Sequence, residues 1–165
     1  QDGADASIEL TGNGSIKFPG TQGASSDANS LDDYEEGTWT PILGGGGGTS
    51  GQAYSASSAT YTKIGRVVYL MAYINLTTVG TITGAVQIQG FPFTSANDNA
   101  SYHAGVFGYD AIFDVDAAHT VAVEMVKNST VGDIYQQEHQ GDAPTGLAEA
   151  NVTTGALQFY GAFYV

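Results

Sequence analysis

Three carboxylates stand close together in the chain: Asp110, Asp114 and Asp116. The segment Ala111-Ile112-Phe113-Asp114-Val115 reads as a short strand. If that strand continues, Asp114 and Asp116 share a face about 7 Å apart. Such a spacing suits a glycosidase pair or a calcium site. The plainer expectation is solvated strand-end acids in a chain that is acidic throughout. Asp32, Asp33, Glu35 and Glu36 lack the Asp-x-Asp-x-Asp-Gly spacing of a calcium loop and read as an acidic turn. His103, His119 and His139 show no His-x-x-x-His spacing, and His139 lies with Glu138 and Asp142 in a polar, Gln-rich stretch. The chain has no Cys, which removes thiolate ligands, thiol nucleophiles and disulfides. No Gly-x-Ser-x-Gly elbow is present. No metal site, no cofactor and no catalytic residue is expected, and the chain is not expected to be an enzyme.

Aromatic residues give the better lead to binding. Ten Tyr and one Trp stand among few charges. A tyrosine ring stacks on sugar C–H faces while its hydroxyl hydrogen-bonds, so loops mixing Tyr with Asn, Asp or Gln suit glycans. The candidates are Tyr102, His103, Tyr109 and Asp110, then Tyr135, Gln136, Gln137 and His139. The competing expectation is that these rings pack inside sheet or subunit interfaces.

Charge narrows the partner class. Seventeen acidic residues face four Lys and Arg, a net charge of -13. Four cations cannot track a phosphate backbone, so nucleic acid is excluded, and anionic membrane surfaces are disfavoured. No apolar run reaches the roughly 18 residues of a membrane helix. No charged segment followed by an apolar run opens the chain, so no signal peptide is expected. The first residue is Gln1 rather than Met, as in a processed or partial chain.

Positioning these residues falls to strands. Residues 1–33 form an expected N-terminal arm. It has two short strands around Gly12-Asn13-Gly14, then a Gly/Ser/Ala-rich linker. Gly44 to Gly48 are five consecutive glycines and read as a flexible, exposed loop. They lack the Lys-Ser/Thr pair of a phosphate loop. The strongest strand runs from Arg66 to Leu76. Val68, Leu70, Ala72, Ile74 and Leu76 line one face; Val67, Tyr69, Met71 and Tyr73 line the other. A sheet with one wet face alternates apolar and polar. Here both faces are apolar, so the Tyr69–Met71–Tyr73 face must meet another sheet, another subunit or a ligand. Further strands are expected over 85–89, 102–109, 111–115, 120–126, 133–136 and 157–165. No segment carries a 3.6-residue apolar period over ten residues. The pattern predicts an all-β fold, an antiparallel β-sandwich of jelly-roll type over residues 34–165.

The run Leu31-Asp32-Asp33-Tyr34-Glu35-Glu36-Gly37-Thr38-Trp39-Thr40-Pro41 resembles a signature of bacteriophage tail-fibre and tail-spike proteins. Tyr61-Thr62-Lys63-Ile64-Gly65 before Val67-Val68-Tyr69 is similar to a second run of those proteins. Gly90-Phe91-Pro92-Phe93 is similar to a third. Gly14-Ser15-Ile16-Lys17-Phe18-Pro19 with Gln22 resembles the end of a fibre stem. The matches span residues 14 to 165 and are densest from 31 to 93. The resemblance implies a virion appendage outside the cell, built as a homotrimer and joined to other virion proteins. Its head would recognise a host-surface glycan or other receptor. It carries no catalytic residues with it, because the shared run looks structural, with Trp39 and Tyr34 packing under the sandwich or at the stem-to-head junction. A purely structural module, a trimerisation cap or a capsid decoration, is the alternative. A polysaccharide depolymerase, resting on Asp114 and Asp116 alone, is the third reading. Receptor contacts are expected in the loops after residue 97.

Overall fold

The computed structural model describes residues 14, 16, 18, 30, 31, 33–99, 104–138 and 143–165. Most of the expected arm lies outside these residues, as do Tyr102, His103 and His139. The strands are β1 (Tyr34–Trp39), β2 (Ile42–Gly45), β3 (Gly48–Ser50), β4 (Ala53–Ile64), β5 (Val67–Thr78) and β6 (Thr81–Thr83). They continue with β7 (Val86–Gln89), β8 (Ala104–Asp110), β9 (His119–Met125), β10 (Val131–Glu138), β11 (Thr145–Gly146) and β12 (Gly155–Tyr164). A 3₁₀ turn covers Glu149–Asn151, and no α-helix occurs among the described residues.

The main sheet runs in the order β1-β4-β5-β12-β8-β9-β10-β7-β2, with β11 paired to β10 and β3 paired separately to β6. Every pairing is antiparallel. β8 is the corner. Its Val106–Asp110 stretch pairs β12, while Ala104 and Gly105 pair β9. A register shift between Gln158 and Phe159 marks the bend, as bulges do where a strand changes sheets. The sheet therefore curls into two facing halves, an all-β sandwich as the periodicity predicts.

The two ends of the strand order, β1 and β2, are consecutive in the chain and joined only by Thr40 and Pro41. This link carries the chain from one half to the other. Proline has no N–H to place in a ladder, so the crossing is a natural position for Pro41. Its carbonyl accepts from Ser57 Oγ at 3.2 Å.

Alternation fixes what is inside. Val68, Leu70, Ile74 and Leu76 of β5 are buried, as are Leu157, Phe159 and Phe163 of β12. From the facing half come Leu43, Val86, Ile88, Val123, Met125 and Ile134. Phe91 sits between the halves. Its ring stacks on Phe159 and Phe163 with centroids 6.2 and 5.7 Å apart and meets Trp39 edge-on at 5.5 Å. Each large side chain of this kind contributes roughly 1.5–3 kcal/mol when fully buried.

Four expectations change. Residues 34–37 are not a turn: they begin β1, with Glu35 turned inward and Glu36 outward. β4 is a twelve-residue strand where small polar residues hid the pattern. The glycine run is not a loose loop either. Gly44 and Gly45 are buried in β2, Gly46 and Gly47 turn the chain into β3, and a Cβ on Gly45 would lie 2.3 Å from the Thr83 carbonyl oxygen. Finally, residues 111–115 form no strand beyond one bridge, Phe113 to Val152. Asp110 Oδ1 accepts from the amides of Ile112 and Phe113 at 2.9 and 3.1 Å, a side-chain turn that competes with the ladder.

Candidate functional surfaces

Residues of the segments 33–39, 61–65 and 91–93 pack against one another and build the scaffold. Lys63 is only 5% exposed. It is paired with the Asp33 carboxylate and lies over the Phe93 ring, 5.7 Å from its centroid. Asp33 adopts φ +54°, which fits a short polar side chain, and its carbonyl accepts from the Gly65 amide at 3.1 Å. The Tyr61 hydroxyl donates to Glu35, and its ring meets Phe93 edge-on at 5.2 Å. That hydrogen bond, burial and the Glu35 charge together push the Tyr61 hydroxyl up to about 12. Gly37 leaves the space that the Tyr61 ring fills. Trp39 Nε1 donates to the Thr60 carbonyl at 3.2 Å. Tyr34 packs on Phe18 of the arm, centroids 5.6 Å apart. Trp39 thus lies in the core against Phe91, and Tyr34 stands at the start of β1 against Phe18.

The outer face of the β10–β7 half is polar. Asp133, Tyr135 and Gln137 of β10 point outward, as do Gln87 and Gln89 of β7. The register sets Asp133 beside Gln87 on one side and Glu124 on the other. Gln89 Nε2 donates to Gln87 Oε1 at 2.9 Å, Gln87 Nε2 donates to Asp133 Oδ1 at 2.6 Å, and the Tyr135 hydroxyl donates to Asp133 Oδ2 at 3.5 Å. This row fixes the side chains and holds a carboxylate ready to accept further hydrogen bonds, since its two oxygens have about four lone-pair sites.

The outer face of the β5–β12 half is uncharged and largely apolar, with Ser58, Thr60 and Gln158 among its exposed residues. Tyr69 is 51% exposed, Met71 53%, Val106 61% and Tyr160 43%. The register lines Thr60, Met71, Tyr160 and Val106 in one row across β4, β5, β12 and β8. Tyr69, Met71, Val106, Tyr160 and Ala162 border a shallow open groove. Of the three occupants open to the Tyr69–Met71–Tyr73 face, another sheet is removed: no described strand covers it.

The remaining candidates divide as follows. Tyr135 and Gln137 share the polar face, with Gln136 on the opposite side of the strand. Asp110 ends β8 and caps its own turn. Tyr109 pairs Gln158 in the ladder on the other half of the sheet, so the structure does not gather 109–110 and 135–137 into one site. Asp116 caps the Ala118 amide at 2.9 Å and contacts His119 Nδ1 at 2.7 Å. With no strand at 111–115, the common face expected for Asp114 and Asp116 is absent. Among the described residues no group of three His, Asp or Glu could hold a metal, and no helix is long and apolar enough to cross a membrane. Sequence reasoning missed Gln87, Gln89 and Asp133. The signal was there in Val86-Gln87-Ile88-Gln89, whose alternation puts two amides on one outer face.

No family model matches the chain, and no curated protein matches it. Among solved structures, the Dettilon tailspike protein (gp208) shares the fold with a TM-score of 0.62 and 12% sequence identity. The likeness covers 79% of this chain and 23% of that one, so this chain spans about a quarter of the tailspike's length.

Proposed function

We propose that this chain is the host-recognition head of a phage tail fibre or tailspike, a homotrimer in the virion that binds a host-surface glycan and does not cleave it. The observation that carries the reading is the fold held in common with a tailspike, in a chain whose motif residues interlock as a rigid scaffold. The polar face supplies the ligand chemistry. Sugar hydroxyls donate to the Asp133 carboxylate, the exposed Gln137 amide gives and accepts, and Tyr135 offers an aromatic edge. A neutral glycan suits this face better than an anionic one, because the chain carries a net charge of -13. The arm of residues 1–33 is the stem end and 34–165 the head.

The test is competition for phage adsorption and binding to arrayed bacterial polysaccharides. The wild-type chain should block adsorption, and the Tyr135→Ala/Gln137→Ala variant should lose that effect while keeping its melting temperature. Release of reducing ends from the polysaccharide would overturn the non-enzymatic part. The structural alternative draws on one observation, that the motif residues are consumed in packing. It predicts unchanged adsorption when the polar face is altered.

A further inference from the structure

We infer that copies of this chain meet through the outer face of β4, β5, β12 and β8, with Met71 and Tyr160 in its centre. The inference rests on the homotrimer of the proposed function and names the surface that builds it.

Charge is the first argument. Each copy carries a net charge of -13, so like copies repel unless the surface between them is free of acids. β5 and β12 contain no Asp, Glu, Lys, Arg or His. β4 contains one such residue, the buried Lys63, and β8 one, Asp110 at its last position. The first acid met on crossing the face lies at its margin: Glu36 on β1, beside Thr62. An uncharged field of this size on so acidic a chain is where a second copy approaches at least electrostatic cost.

Composition is the second. Interface centres are depleted in charge and enriched in Tyr and Met, and this face exposes Tyr69, Met71, Tyr73 and Tyr160 beside the uncharged Ser58, Thr60 and Gln158.

Continuity with the arm is the third. Phe18 rests on Tyr34, and Tyr34 stands in the row Tyr34–Ile64–Val67–Tyr164 along the edge of the same face. Copies that meet here bring their Phe18–Tyr34 contacts to the same end of the face.

The chain has no Cys, so an introduced thiol is the only one present. Met71→Cys in the full chain, treated with a short bis-maleimide, should give covalent oligomers. Thr120→Cys, exposed on the opposite outer face, should give none. Light scattering should report three chains for the wild type and one chain for Tyr160→Asp, with an unchanged circular dichroism spectrum. Val106→Asp gives the same test at the next strand if Tyr160→Asp fails to fold. A trimer mass that survives both Asp variants, with no cross-link at residue 71, overturns this face and leaves the trimer standing. A wild-type mass of one chain overturns both, whether the face is then bare or covered by residues 1–29 of its own chain.

Discussion

Asp33→Asn should be among the most damaging single-atom-scale changes in the molecule. Asparagine keeps the shape of the side chain and tolerates the φ of +54° that Asp33 adopts. What is lost is the negative charge beside Lys63, whose side chain is 6% exposed, against 21% for Asp33. Removing one partner of a buried ion pair costs about 3–5 kcal/mol, because the other charge stays buried with that carboxylate's charge gone. Partial solvation of Asp33 and the Phe93 ring near the ammonium place the effect near 3 kcal/mol at the low end. At roughly 2–4 °C per kcal/mol for a chain of this size, the melting temperature should fall by about 6–12 °C. Asp98→Asn is the control. Asp98 lies 4.0 Å from an Arg66 side chain that is 70% exposed, and a pair so exposed contributes at most about 1 kcal/mol. The double variant Asp33→Asn/Lys63→Met should cost less than the sum of its parts, since it leaves no buried charge behind. Urea and thermal unfolding of the four proteins measure all of this. An Asp33→Asn loss no larger than that of Asp98→Asn would refute the reasoning.

Three further outcomes follow from the packing. Phe91→Ala should cost about 3–5 kcal/mol in urea unfolding, because the ring contacts Trp39, Phe159 and Phe163 at once. Gly45→Ala should destabilise by about 1–3 kcal/mol, since the backbone oxygen of Thr83 that its methyl would strike cannot swing aside as a side chain can; an unchanged melting temperature would contradict it. In a phenolate absorbance titration, Tyr61→Phe should remove the component near pH 12. The neutral phenol is the form favoured in the fold. Its contribution to stability is therefore full below pH 10, the ordinary value, and is lost as pH rises through about 12. The variant should lose less stability than the wild type across that window.

What could be read from the chain depended on how each strand meets its neighbours. β5 declares itself because both its faces are apolar, and the inner row is buried as the alternation predicts. β4 does not, because its inward residues include Ala59 and Lys63 rather than large hydrophobics. Its partners β1 and β5 supply the pattern it lacks. The Glu35-Glu36 pair looks like a turn because two adjacent acids seem to need water. In β1 they straddle the sheet, and the inward one, half-buried, accepts from the Tyr61 hydroxyl 26 residues away. The glycine run has the same origin. Its need for bare Cα atoms comes from Gln89, Ile82 and Thr83 across the fold, and nothing local distinguishes it from a linker. Half of the polar face was legible for this reason too. Tyr135 and Gln137 stand out in β10, but Gln87 joins them only through a pairing of strands some 46 residues apart.

The two outer faces differ because the strand order sorts the sequence before any ligand or partner is considered. β5 and β12 lie side by side and bring together the two long strands without charge. β10 and β7 lie side by side and bring together the carboxylate of Asp133 and the amides of Gln87 and Gln89. One shared core separates the faces, with Phe159 and Phe163 packed from one side and Ile88 and Ile134 from the other. Substitutions at solvent-facing positions of β10 therefore leave the buried rows of β5 and β12 untouched. This separation is what the proposed function requires of the molecule: a recognition surface free to vary while the surface that joins copies stays apolar. It also sets the order of dependence. The Lys63–Asp33 pair and the Trp39–Phe91 contact hold the β1 edge and the crossing to β2. If that crossing loosens, the two halves lose their common spacing, and both faces change together.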